Sequence, residues 1–263
     1  MAPNPRIKDR MTGTAPAGQD KGAWLAALEQ GANLLQSATP LKGFDVYVVG
    51  FHCAKGEPDF QMEAHHYCRV VNEDLLQCVL FDGNTADANL IGIEYIVSER
   101  LFETLPEEER AYWHPHNFEV FSGQLAAPGL PRSAETALMK QLVNSYGKTW
   151  HTWHTSGHGH GHGSGDGHGS GDGHGSGMDL PYGDPKLMWS FNREGECAED
   201  LKQDRDRAMG LDTEANRADR QSFLDLARPQ WGVDAMKDDF PGATPVPGVR
   251  DVRAASDGGA APS

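Results

Sequence analysis

The sequence predicts an α+β fold, a largely antiparallel sheet with flanking helices. Strand-like runs follow one another with turn residues between them, as at Asp82-Gly83-Asn84, which is typical of hairpin neighbours. Helical patterns are grouped between and after these runs, which favours α+β over a doubly wound parallel sheet. The chain has 263 residues, enough for one large domain with appended segments.

The elements can be placed in order along the chain. Trp24, Leu25, Leu28 and Leu35 recur at helical spacing and predict an amphipathic helix over 23–36. Strands are predicted at 44–53, 62–71, 75–82, 90–98, 118–127, 148–154 and 186–191. Helices are predicted at 99–113 with an interruption at Pro106, at 133–147 from a Ser133 cap to a Gly147 stop, at 196–209, and at 212–227 from an Asp212 cap.

Three segments differ in composition from the folded part. Glycine at every odd position from Gly157 to Gly177 predicts a flexible insert at 155–177. Five histidines of this insert could capture metal weakly, although an expanded, solvated linker is the interpretation we favour: His158, His160, His162, His168 and His174. Residues 1–20 and 236–263 are expected to be disordered. The single domain is then 21–154 together with 178–235.

Charge and composition exclude several partners. The formal net charge of −15 argues against nucleic acids and anionic membrane surfaces. No apolar run is long enough for a transmembrane helix, and the first residues lack a secretory apolar region. The cysteines are Cys53, Cys68, Cys78 and Cys197, which form no CxxC pair and no disulfide-framework spacing. We therefore expect free thiols in a cytoplasmic protein.

Strand alternation places polar side chains on apolar faces. In 62–71, His66 shares the more apolar face with Met62, whereas Glu63 and His65 share the other face. Glu94 likewise falls on an apolar face of its strand, and His52 on one of its own. A carboxylate in such a layer is costly unless it is paired, hydrogen-bonded or bound to metal.

A second set of candidate ligands lies at His114, His116 and Glu119. His-x-His in extended backbone offers two imidazoles on one face, a common way to bind one ion. The leading ligands for a divalent transition metal are His66, Glu94, His114 and His116, with His52, His65 and His151 as further candidates. Glu63 or Glu119 would carry the proton in an enzyme. The alternative is a set of buried hydrogen-bond networks between strands.

Several long motifs resemble the oil body-associated protein family. They are GFHC at 50–53, EAHHYC at 63–68, IGIEYIVS at 91–98, LFETLPEEE at 101–109, WHPHNFE at 113–119 and YGKTWH at 146–151. The resemblance runs from about residue 22 to about residue 192, skips the insert, and contains all nine candidate site residues.

The resemblance implies a link to seed oil bodies but no reaction. Two hypotheses follow: a lipid-droplet-related or scaffolding protein without activity, or an uncharacterised metal-dependent enzyme with a His/Glu site. Droplet contact would be peripheral, through segment 23–36 or a partner. That segment is equally compatible with packing on the sheet, the interpretation that we favour.

Overall fold

A computed structural model describes residues 7–155 and 177–253 of the chain. Within them the strands are β1 (Val46–Ala54), β2 (Glu57–Asn72), β3 (Leu75–Phe81), β4 (Leu90–Val97), β5 (His114–Pro115), β6 (Tyr146–His151) and β7 (Lys186–Trp189). The α-helices are α1 (Ala23–Leu35), α2 (Glu99–Phe102), α3 (Glu107–Arg110), α4 (Asn117–Phe121), α5 (Arg132–Leu142), α6 (Glu199–Met209) and α7 (Thr213–Arg220). Short 3₁₀ turns cover Thr39–Leu41 and Gln221–Leu226.

Six strands close into an antiparallel barrel. Their order is β4-β3-β2-β1-β7-β6, and β6 pairs back with β4; the short β5 attaches to the other edge of β6. Every strand pairing is antiparallel, so the predicted α+β fold with an antiparallel sheet is confirmed. The closure of the sheet into a barrel was not predicted from the sequence. It depends on the β4–β6 pairing, which joins residues about fifty positions apart and which no local pattern encodes.

Alternation along the strands decides which side chains enter the barrel. Val48 pairs with His66 and His52 with Met62, so these four side chains project to the same face of the β1–β2 ladder. Val48 and His66 line one small cavity inside the barrel together with Leu125 and Leu142, from the segments that cover this end. The interior therefore combines an apolar core with polar side chains brought in by strand period.

The predicted strand at 118–127 is wrong. The structure has helix α4 there, followed by a turn at Gly123 (φ 81°). A Cβ at Gly123 would lie 2.1 Å from the carbonyl O of Thr213, so the chain turns sharply where α7 passes. Nearly every residue of this stretch is buried, which hides the periodicity that distinguishes a helix from a strand.

The predicted helix at 133–147 is shorter than expected. Helix α5 begins at Arg132 without a side-chain cap and ends at Leu142. Asn144 has φ 66°, the left-handed conformation that ends helical geometry. Gly147 therefore belongs to β6. By contrast, the side chain of Asp212 caps α7 as predicted, accepting from the N–H of Ala215.

The expectation of free thiols is wrong for two of the four cysteines. Cys68 on β2 lies opposite Cys78 on β3, and the two form a disulfide inside the barrel. Cys53 and Cys197 are free and buried. Spacing alone did not reveal the pair, because cross-strand contact depends on the hairpin register.

Part of each terminal segment expected to be disordered is bonded to the folded domain. Thr12 donates its backbone N–H to the carbonyl O of Asp82 at 3.0 Å, and Glu194 and Thr244 exchange two backbone hydrogen bonds of 2.9 Å. Composition indicates how little apolar surface a segment offers, but not which distant backbone groups it can reach. Nearly all of the predicted insert at 155–177 lies outside the described residues.

Helix α1 faces solvent, so the packing on the sheet that the sequence favours is wrong. None of its thirteen residues is buried, and Trp24 is 76% and Leu35 83% exposed. Periodicity records an apolar face without identifying its partner. In the described parts of the chain, no helix is long and apolar enough to cross a bilayer.

Candidate metal centre

A cluster of histidines surrounds one buried glutamate inside the barrel. Strand pairing and the segment after β5 bring together residues far apart in sequence: His52 from β1, His66 from β2, Glu94 from β4, His114 from β5, His116 and Glu119 at α4, and His151 from β6. Each of these residues is at most 4% exposed. The cluster is thus removed from bulk water, where an unpaired charge is costly.

The two carboxylate oxygens of Glu94 lie next to different histidines. Oε1 lies 3.3 Å from Nε2 of His114 and 3.5 Å from Nε2 of His116, whereas Oε2 lies 3.0 Å from Nε2 of His66. Burial alone would raise the pKa of Glu94, but the facing imidazoles hold it well below its usual range. Glu94 is therefore a carboxylate between two groups of imidazoles.

Two hydrogen bonds identify the protonated nitrogen of His116. Its Nδ1 lies 2.7 Å from Oγ of Ser145, whose hydroxyl donates to the carbonyl O of Leu142 at 2.6 Å. Because Ser145 has a single proton and a carbonyl can only accept, Nδ1 of His116 must donate to Ser145. A neutral His116 therefore directs an unprotonated Nε2 toward Glu94.

His66 is oriented in the same way. Its Nδ1 lies 3.1 Å from the carbonyl O of Ala64, which can only accept, so Nδ1 carries the proton. If both rings are neutral, two nitrogen lone pairs face the Glu94 carboxylate, a repulsive arrangement that a bound cation or a second proton on a ring relieves. Backbone and hydroxyl acceptors on the remote nitrogen are the usual supports of metal-ligating histidines.

The space between the atoms at Oε1 of Glu94 is created by Gly147. A Cβ at this position would lie 2.2 Å from Oε1 of Glu94, 2.6 Å from Nε2 of His114 and 2.7 Å from Nε2 of His116. Both Oε1 of Glu94 and Nε2 of His114 are buried without a hydrogen-bond partner of suitable geometry. Three potential ligand atoms thus converge where the chain carries no side chain.

On the other side of Glu94, His52 completes a second group of potential ligands. His52, His66 and Glu94 offer ligand atoms within 4.8 Å of one another, as do Glu94, His114 and His116. Burial and the neighbouring His66 lower the pKa of His52 well below its ordinary value, so this ring is neutral.

Glu119 lies beside the cluster as a protonated acid. Its Oε2 is 3.7 Å from Nε2 of His116, and burial together with Glu94 raises the pKa of Glu119 well above its usual range. A cavity of about 10 Å³ opens among the polar side chains of His52, His66, Glu94, His116 and Glu119. This volume is about that of one water-sized sphere.

Comparison with known proteins identifies the family. The family model described as "Protein of unknown function (DUF1264)" matches residues 38–224. Oil body-associated protein 1A of Zea mays is 36% identical over 208 residues, 79% of this chain and 78% of its own length. Oil body-associated protein 1B of Arabidopsis thaliana is 32% identical over 223 residues, 84% and 83% of the two chains. This chain belongs to the oil body-associated protein family. No solved structure matches it.

All members of the buried cluster lie within residues 38–224, the range that the family model matches, whereas Arg10 and α1 precede that range. Two sequence candidates, Glu63 and His65, lie on the outer face of β2 and do not join the cluster. There Arg10 donates to Glu63 at 2.9 Å, and Nδ1 of His65 lies 2.7 Å from the hydroxyl of Tyr47. Burial raises the pKa of Glu63, but His65 and Arg10 hold it below the ordinary value.

Two residues that shape the cluster in this oil body-associated family member were not predicted from the sequence. Ser145 and Gly147 flank Tyr146 at the start of β6, one orienting His116 and the other leaving room at Glu94. The sequence signal was the small residues in Ser145-Tyr146-Gly147, which read as the end of a helix.

Proposed function

We propose that this oil body-associated family member is a metalloprotein that binds a divalent transition metal ion through Glu94, His114 and His116. The observation that supports it is the convergence of Oε1 of Glu94 with two Nε2 atoms at Gly147, while Nδ1 of His116 donates its proton to Ser145. Protonating the rings instead would place several cations beside one carboxylate in a buried site.

The ligand set indicates the class of metal. Two imidazoles and one carboxylate suit zinc, iron or manganese, and three protein ligands leave further coordination positions for a small exogenous ligand. Glu119 is placed to give or accept a proton next to His116. The residues lining the adjacent cavity are at most 6% exposed, so a water-sized ligand fits this conformation and a larger substrate does not.

Metal content measured on the full chain tests the proposal. The insert histidines are first replaced by serine, which prevents adventitious capture: His158, His160, His162, His168 and His174. After addition of zinc, iron or manganese and desalting, a stoichiometric ion is expected, and Glu94→Gln should abolish it. His154→Ala, a buried histidine that contacts Phe60, is the matched control. A metal-free protein under every condition would contradict the proposal.

A second function is supported by α1: contact with the surface of a cytoplasmic lipid droplet. Trp24, Leu28 and Leu35 form an exposed apolar stripe, and the only charged residue of the helix is Glu29. With no cation in the helix and a net charge of −15, attachment would use apolar insertion between neutral headgroups rather than attraction to anionic lipid.

Flotation with triacylglycerol droplets coated in phosphatidylcholine tests droplet contact. The full chain should float with the droplets, and the double substitution Trp24→Ser and Leu28→Ser should leave it in the aqueous phase. Leu130→Ser removes an exposed leucine outside α1 and should change nothing. Equal flotation of all three proteins, or of none, would contradict a role for α1.

A further inference from the structure

We infer that the cluster holds a second divalent transition metal ion, bound by His52, His66 and Oε2 of Glu94, so that Glu94 bridges two ions. This inference rests on the first ion proposed above. Oε2 lies 3.0 Å from Nε2 of His66, and the ligand atoms of His52, His66 and Glu94 all lie within 4.8 Å of one another. The first group, at Oε1, shares only Glu94 with it.

A chain of contacts orients His52 for this role. Nδ1 of His151 lies 2.9 Å from the thioether sulfur of Met62, which can only accept, so this nitrogen carries the proton. Nε2 of His151 is then an acceptor, and it lies 3.4 Å from Nδ1 of His52, which must be the donor. The remaining nitrogen of His52, Nε2, therefore carries a lone pair. His151 acts as a positioning residue for this ligand.

The two ions would occupy different spaces. The space at Oε1 is the one that a Cβ on Gly147 would fill. The cavity of about 10 Å³ is lined by His52 and His66, and also by Glu94, His116 and Glu119, whereas neither His114 nor Gly147 lines it. It has room for one small species, which is the second ion in place of a water-sized ligand. Bridged pairs of ions about 3.5–4 Å apart are a known arrangement in proteins, and a carboxylate with different neighbours on each oxygen fits it.

Charge favours the pair as well. Two divalent ions repel each other, and the bridging carboxylate of Glu94 reduces that repulsion by lying between them. Glu119 lies at the edge of the same cavity, so a second carboxyl group borders the second ion.

Metal stoichiometry separates this inference from the first. In the full chain with serine at the insert histidines, saturation with Mn²⁺ and desalting should leave two ions per chain. His52→Gln, which keeps the volume of the side chain, should leave one, Gly147→Ala should leave one, and Glu94→Gln none. The control His154→Ala should keep two. Circular dichroism verifies that each variant is folded.

The outcomes distinguish the two claims. One ion in the parent chain, lost in Gly147→Ala and kept in His52→Gln, overturns the second site and leaves the first. No ion in the parent chain overturns both. Electron paramagnetic resonance gives an independent readout, because two bridged Mn²⁺ ions couple magnetically. The parent chain should show a coupled spectrum, and His52→Gln that of an isolated ion; an isolated-ion spectrum in the parent chain overturns the second site.

Discussion

The Gly147→Ala substitution perturbs the metal centre where its ligand atoms meet. The added Cβ would lie 2.2 Å from Oε1 of Glu94, whereas real Cβ contacts are essentially never under 3.0 Å. Oε1 of Glu94 and residue 147 must then separate by a further 0.8 Å, the difference between these two distances, through movement of Glu94 or of β6. Metal–ligand bonds tolerate about 0.2 Å, so the ion at Oε1 should bind at least ~100-fold more weakly, or about 2.8 kcal/mol.

Competition with a chromophoric chelator measures this loss, and elemental analysis should show one ion per chain fewer than in the parent. Overpacking also costs the metal-free fold about 1–3 kcal/mol, which urea unfolding in chelator reports separately. Gly31→Ala is the matched control, because a Cβ at Gly31 meets nothing within 4 Å. Unchanged affinity and metal content in Gly147→Ala would refute the placement of the ion at Oε1.

Three further predictions concern stability. Burial and Lys186 lower the pKa of His154 to about 4. The free energy of unfolding should therefore fall as pH drops from 6.5 toward 4, by up to about 1.4 kcal/mol per pH unit. His154→Gln should flatten this fall in urea titrations of the metal-free protein. Replacing Cys68 and Cys78 by serine should lower the free energy of unfolding by about 2–3 kcal/mol, since the disulfide closes a short loop. Equal unfolding midpoints with and without reductant would contradict this prediction. Arg10→Ala should cost about 3 kcal/mol with metal content unchanged, because buried Glu63 loses its guanidinium partner and keeps Nε2 of His65, at 3.0 Å, as its remaining ion-pair partner. Loss of metal in this variant would contradict a separate outer network.

The cluster around Glu94 shows which features of the site local sequence patterns could predict and which they could not. Period-two alternation placed His52, His66 and Glu94 on apolar faces, and the structure has all three pointing into the barrel. It could not show that they meet, because that depends on the β1–β2 register and on the pairing of β4 with β6. His65 and Glu63 lie on the same strand as His66 and have the residue types of the candidate ligands, yet they face a different network.

The sequence likewise did not predict which segments pack against each other. The apolar stripe of α1 was evident, but its exposure was not, because periodicity does not identify what covers a face. The disulfide between Cys68 and Cys78 depends on a hairpin register that spacing does not reveal. Buried on all sides, the segment around α4 gave no period from which to distinguish helix from strand.

The sequence by itself determined the antiparallel α+β class, the family and the residue types of the candidate ligands, since these depend on local alternation and on ordered motifs. Only the tertiary structure decided that the sheet closes into a barrel, that Glu94 lies between two groups of imidazoles, and that Gly147 leaves room beside it. The physical reason is that these features arise from contacts between segments distant along the chain. Local propensity carries no information about such contacts.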